Sequence, residues 1–115
     1  MTVTIWHNPR CSKSRQTLEL IRSRGVEPVI VEYLKTPPDE AALRGVLAAL
    51  RLAPRDLLRR SEPACKARGL ADPSRSDAEI IAAMAADPML IERPVVICGS
   101  RAAIGRPPEA VLAIL

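Results

Sequence analysis

The sequence predicts an α/β fold in which two strand-containing halves flank a helical segment. Two observations carry that expectation. The first 33 residues read as strand, helix, strand, and the chain from residue 95 onward reads as two hairpin-linked strands and the start of a last helix. Between them, residues from about 37 to 90 carry only helix signals.

Thr2 to Trp6 is short, β-branched and aromatic, the composition of a strand. Asn8-Pro9 ends it, because the residue before a proline is biased away from helix. A helical pattern begins at Ser12, with Leu18 and Ile21 one turn apart and charges at Arg15, Glu19 and Arg22. Gly25 supplies the C-terminal stop. Pro28 to Tyr33 contains Val29, Ile30 and Val31 in succession, the continuous apolar run expected of a buried parallel strand. Strand, helix and strand at this spacing form a βαβ unit with a right-handed crossover.

After Thr36-Pro37-Pro38, residues Leu43, Val46, Leu47 and Leu50 recur at helical spacing, with Asp39 or Thr36 as the cap. Pro54 opens a short helical piece, Arg55 to Arg60. Ser76-Asp77-Ala78-Glu79 is a capping box, followed by the apolar face of Ile80, Ala83 and Met84 and a stop at Pro88. Strand character returns at Val95 to Cys98. Gly99-Ser100 is a two-residue hairpin signal, Ala102 to Gly105 its antiparallel partner, and Pro107-Pro108 permits a final helix with Val111, Leu112 and Leu115 apolar. The order βαβ, helical insert, ββα is that of a thioredoxin-like fold with extra helices between its halves. The 115 residues are expected to form one domain, 1–115.

Composition narrows the function classes. Hydrophobic residues make up 48% and charged residues 26%, enough for a packed core and against disorder. No apolar run approaches the roughly 18 residues of a membrane span, and the first residues lack the pattern of a signal peptide. The three cysteines are odd in number and widely separated, so no disulfide framework is expected and a reducing cytoplasm is. The net charge of +4 invites a nucleic-acid reading, but the basic residues are scattered, and aromatics are 2% with no Phe, too few to stack bases. Neither nucleic acid nor membrane is expected as a partner.

The first chemical candidate is Cys11, in His7-Asn8-Pro9-Arg10-Cys11-Ser12-Lys13-Ser14-Arg15, where the first strand hands over to the first helix. A sulfur there faces the unpaired N–H groups and the positive end of the helix dipole, which favour a thiolate. Its place in a polar turn argues against burial. His7, Arg10, Lys13 and Arg15 lie close in sequence and add positive field, and His7 could raise the thiolate fraction electrostatically. Ser14 stands where dithiol oxidoreductases have a second cysteine, so a resolving thiol must be Cys65, Cys98 or a small thiol such as glutathione. Cys65, in the insert, and Cys98, at the end of an apolar strand, read as structural. One histidine and three scattered cysteines do not make a metal site. Arg59, at the end of the short helix of the insert, Arg93, before Pro94, and Arg106, after the last strand, matter if the fold gathers them around Cys11.

The stretches His7-Asn8-Pro9, Cys11, Ser14-Arg15, Tyr33-Leu34, Pro37-Pro38, Leu57-Leu58-Arg59, Gly69-Leu70, Ile91-Glu92-Arg93-Pro94 and Gly105-Arg106-Pro107 occur in order and span nearly the whole chain. In this the sequence resembles the glutaredoxin-linked arsenate reductase (ArsC) family, and the run from Asn8 to Arg15 is similar to a less characterised branch of it. The resemblance implies a thioredoxin-like fold with a helical insert. It implies Cys11 as nucleophile, Arg59, Arg93 and Arg106 as holders of the oxyanion, His7 as an aid to the thiolate, and Ser14 and Arg15 as supports of the loop. The implied reaction reduces arsenate to arsenite. Cys11 attacks arsenic as an oxygen leaves as water, glutathione enters the adduct, and glutaredoxin removes it; no bound cofactor and no metal are required. Two other readings share the fold: a glutathione-linked monothiol disulfide reductase, which needs Cys11 but not all three arginines, and a Spx-like regulator that binds RNA polymerase. Ser14 removes the C-x-x-C switch of the latter.

Overall fold

The computed structural model describes residues 2–115 as two compact units, one formed by the chain up to Thr36 together with Arg93–Leu115, the other by Pro37–Glu92. The first unit holds β1 (Val3–Trp6), α1 (Ser12–Ser23), β2 (Val29–Val31), β3 (Val95–Cys98), β4 (Arg101–Ile104) and a C-terminal 3-10 helix, Pro108–Ile114. Its four strands are ordered β2-β1-β3-β4, with β1 parallel to β2 and antiparallel to β3, and β3 antiparallel to β4.

Period-two alternation along the strands puts Val3 and Ile5 of β1 and Val96 and Cys98 of β3 into one core. Leu18 and Ile21 of α1 and Val111 and Ile114 of the C-terminal segment close that core. At about 1.5–3 kcal/mol for each fully buried aliphatic side chain, this cluster is the main stabilising element of the unit. The helix stop falls where the glycine predicts it: Gly25 takes φ +77°, and its N–H reaches the carbonyl of Arg22 at 3.0 Å. The hairpin is likewise two residues long, with Gly99 at φ +61° and Cys98 opposite Arg101.

Two sequence expectations need correction here. The apolar run after Pro28 does form a parallel strand, but Val29 is 52% exposed and Ile30 39%, so it is not buried. The run sits at the sheet edge, beyond β1, and an unbroken apolar string does not by itself distinguish an edge strand from a central one. The last helix is a 3-10 helix, and its three-residue turn buries Pro108, Val111 and Ile114 on one face while Leu115 is exposed.

The second unit contains α2 (Glu40–Leu50), α3 (Pro54–Leu57), α4 (Pro63–Ala67), α5 (Asp77–Ala86) and a 3-10 turn, Pro88–Leu90. Asp39, and not Thr36, caps α2, its carboxylate accepting from the Ala42 N–H at 2.7 Å. The capping box of α5 closes in both directions, with Ser76 N–H donating to Glu79 and Glu79 N–H to Ser76 Oγ, each at 3.1 Å. The helix expected over Arg55 to Arg60 stops at Leu57, because the chain then turns extended and Leu58 bridges Ile91. Arg59 therefore lies beyond the helix, its N–H bonded to the Leu90 carbonyl at 2.7 Å. The helix α4 had no sequence counterpart; at five residues it is too short to show a period. Leu43, Leu57, Cys65, Ile80, Met84 and Leu90, each no more than 1% exposed, make up the centre of this unit.

Strand direction decides where chemistry can occur in the first unit. Trp6 pairs with Val31 and Val95, and Val95 with Ile104, so β1, β2 and β4 end, and β3 begins, at the same edge of the sheet. Gly105 locks that edge to α1. A Cβ on it would stand 2.5 Å from Thr17 Oγ1 and 2.8 Å from Pro94 Cγ, and Thr17 and Pro94 are both buried. Gly105→Ala is therefore expected to destabilise the protein by about 1–3 kcal/mol, the usual cost of overpacking, seen as a lower Tm. Gly45→Ala, on the exposed face of α2 with no atom within 4 Å of the added carbon, should leave Tm unchanged or raise it. Equal stability of Gly105→Ala and wild type would show that the α1 contact is not tight.

Candidate active site

Cys11 is the N-cap residue of α1, with φ −94° and ψ 122°. The loop before it is a closed turn. The Cys11 N–H donates to the Asn8 carbonyl at 3.0 Å, and the Arg10 N–H donates to Asn8 Oδ1 at 3.0 Å. From inside, Ser14 Oγ accepts from the Asn8 N–H at 3.0 Å; from outside, Arg15 Nη1 donates to the Pro9 carbonyl at 2.9 Å. The far end of the loop is pinned to β2 by the His7 N–H, which donates to the Val31 carbonyl at 2.8 Å.

The sulfur is buried, only 8% of Cys11 being exposed, against the expectation from its polar neighbours in sequence. The turn folds inward so that the first N–H groups of α1 reach it. Burial alone would push the thiol pKa up. The Ser14 N–H, the Arg93 side chain and the Lys13 N–H outweigh that effect, and the pKa lies below that of an ordinary thiol. Arg93, distant in sequence, thus brings positive charge to the sulfur, whereas Lys13 contributes its backbone N–H.

His7 is 7% exposed, and its Nδ1 is hydrogen-bonded to Ser14 Oγ at 2.6 Å. Burial is the largest influence on it, and with the charges of Arg22 and Arg15 it outweighs the pull of Glu32, so the imidazole pKa falls below 6.5. At neutral pH His7 is therefore uncharged, which corrects the expectation that it stabilises the thiolate by its own charge. It is linked to the loop through the Ser14 hydroxyl.

Arg93 and Arg106 converge on Cys11 from either side of the β3–β4 hairpin. Arg106 Nη2 lies 3.7 Å from Sγ, and its Nε donates to the Arg93 carbonyl at 2.8 Å. The Arg93 guanidinium interacts with the sulfur and with the Tyr33 phenol. Nε and Nη1 of Arg93 are buried without a hydrogen-bond partner among the described residues. The Arg93–Pro94 and Arg106–Pro107 bonds are both cis.

Arg59 belongs to the second unit, where its Nε lies 3.7 Å from Glu62 Oε2. The three cysteines form no disulfide. Cys98 pairs with Val3 at the opposite end of β1 from Cys11, about 10 Å along the strands, which excludes it as a partner for Cys11 without unfolding. Among the described residues no three His, Cys, Asp or Glu side chains are grouped to hold a metal, and no helix is long and apolar enough to cross a membrane. Sequence reasoning gave no role to two residues of this site. Asn8 organises the turn, and an asparagine before proline in a polar loop was the available signal; Tyr33, the one tyrosine of the chain, was visible only as part of a motif.

With the pKa lowered in the fold, alkylation of Cys11 by iodoacetamide should rise with pH to a plateau whose midpoint is below the ordinary thiol value of about 8.5. Arg93→Ala should move the midpoint up. A midpoint at the ordinary value in both proteins would contradict the electrostatic account, and Cys11→Ser identifies any background from Cys65 and Cys98.

The family model "ArsC family" matches residues 6–114. The chain is 51% identical to the uncharacterized protein YfgD of Escherichia coli strain K12, over 98% of this chain and 96% of that one. It is 49% identical to an arsenate reductase of Rhizobium meliloti strain 1021, over 100% of this chain and 82% of the relative. Among solved structures, an arsenate reductase from Vibrio cholerae superposes with a TM-score of 0.97 at 46% identity, covering 100% of this chain and 98% of that chain. That neighbour also secures the thioredoxin-like class read from the element order. A match over nearly the full length, in family model, sequence and structure, makes this chain a member of the ArsC family.

Proposed function

We propose that this protein reduces arsenate to arsenite, with Cys11 as nucleophile and glutathione and glutaredoxin as the source of electrons. One observation carries the oxyanion part of this reading: a buried guanidinium, Arg93, keeps Nε and Nη1 unpartnered beside a sulfur whose pKa is lowered. Buried donors left unpaired cost about 1–3 kcal/mol each, and a tetrahedral oxyanion supplies the acceptors they lack. Relatives bearing the name arsenate reductase, at 49% and 41% identity, support arsenate as that oxyanion.

In the proposed reaction the Cys11 thiolate attacks arsenic, one oxygen departs as water, and a sulfur–arsenic bond forms. Arg93 and Arg106 neutralise the oxygens that remain, and the helix N–H groups stabilise the thiolate before attack and on release. Arsenic gains two electrons; two thiols lose them and become one disulfide. Ser14 in the third position after Cys11 and the distant strand position of Cys98 both favour a thiol supplied from outside the chain. For Arg59, a role in holding the oxyanion rests on its motif alone. No bound cofactor is invoked, and the expected setting is the cytoplasm, where the thiol pool is reduced.

The test is arsenate-dependent oxidation of NADPH in the presence of glutathione, glutaredoxin and glutathione reductase. Wild type should turn over with arsenate and not with phosphate, and omitting glutaredoxin should stop it. Cys11→Ser should be inactive, and Arg93→Ala should lose about 100-fold or more in kcat/KM, the usual cost of an oxyanion donor. An inactive wild type whose Cys11 still alkylates rapidly at neutral pH would overturn arsenate as substrate.

A further inference from the structure

Arg93 is a long and flexible side chain that must be held in one orientation if its guanidinium is to face the sulfur. Its own carbonyl is bound by Arg106, which fixes the backbone but not the guanidinium. The groups that act electrostatically on that guanidinium are Cys11 itself and Tyr33. Tyr33 follows β2, two residues beyond the Val31 carbonyl that binds His7, and so stands at the same sheet edge as the Cys11 loop and Arg93. β2 and β3 are two strand spacings apart, about 10 Å, a gap that a tyrosine and an arginine side chain can close from opposite sides. The tyrosine is 1% exposed and its phenol oxygen is buried, although an apolar ring would fill the same space without carrying a polar atom inward. A guanidinium has only donors, so what it can use from the phenol is the oxygen lone pairs.

We propose that Tyr33 is a positioning residue, whose buried hydroxyl holds the Arg93 guanidinium against Cys11 and toward the substrate oxyanion. A phenyl ring at this position would preserve the packing and lose the hold. Tyr33 acts through Arg93 and touches neither the reacting sulfur nor the oxyanion. The inference rests on Cys11 being the nucleophile but not on which oxyanion is reduced.

The experiment is a double-mutant cycle read by the pH profile of Cys11 alkylation, with iodoacetamide as the probe and thermal melting as the check on folding. Tyr33→Phe should raise the midpoint by about half a unit, which makes alkylation about three-fold slower below the midpoint. In the Arg93→Ala background the same change should have no further effect, because the group that Tyr33 positions is gone. If Arg93→Ala does not fold, Arg93→Gln takes its place in the cycle. A Tyr33→Phe profile that coincides with wild type would overturn the proposal, as would an equal shift with and without Arg93, the mark of a merely structural role. A wild-type midpoint at the ordinary thiol value would instead overturn the nucleophile reading itself, and with it this inference.

Discussion

The site depends on one electrostatic balance, struck where β1 gives way to α1. Burying a sulfur costs a thiolate its hydration, and at Cys11 that cost is outweighed by the N–H groups of Lys13 and Ser14 and by the Arg93 guanidinium. Each of these is supplied by a different level of structure. The N–H groups are those that any helix leaves unpaired in its first turn. They reach the sulfur because Asn8, Ser14 and Arg15 close the preceding loop. The guanidinium arrives because β3 runs antiparallel to β1, which brings the residue before β3 to the end of β1.

The same register explains why so short a sheet gathers so many chemical groups. Three strands end and one begins at this edge, so Tyr33, the Cys11 loop, Arg93 and Arg106 come from four separate stretches of sequence. At the other end Cys98 faces Val3, and its sulfur is part of the hydrophobic core. Position along a strand thus separates a cysteine whose pKa is lowered from one packed into the core. Gly105 contributes by having no side chain: it lets the segment before Arg106 lie directly on Thr17 and Pro94.

Local signals were legible in the sequence wherever a single residue type satisfies a single backbone need. Gly25, Gly99 and the Ser76–Glu79 pair fall where their conformational and capping preferences put them. The βαβ and ββα order, and the place of Cys11 at a helix start, followed from the same kind of reasoning. What sequence could not supply was direction and depth. It placed an apolar run in a strand but not at the sheet edge, and it took a polar turn as a sign that Cys11 is exposed, whereas the turn folds the sulfur inward. It counted His7 toward the positive field, whereas burial lowers the pKa of the imidazole and disfavours its charged form. It pointed to Arg93 and Arg106 through motifs, but their approach to the sulfur is a long-range fact set by strand pairing.

The proposed oxyanion site beside Cys11 rests on the unpartnered donors of Arg93. Direct binding of arsenate to Cys11→Ser, measured by titration calorimetry, tests it without turnover. Binding should be measurable and should weaken by at least about ten-fold when Arg93→Ala is added, the loss of one charge-assisted contact. Equal affinity in the two proteins would contradict it.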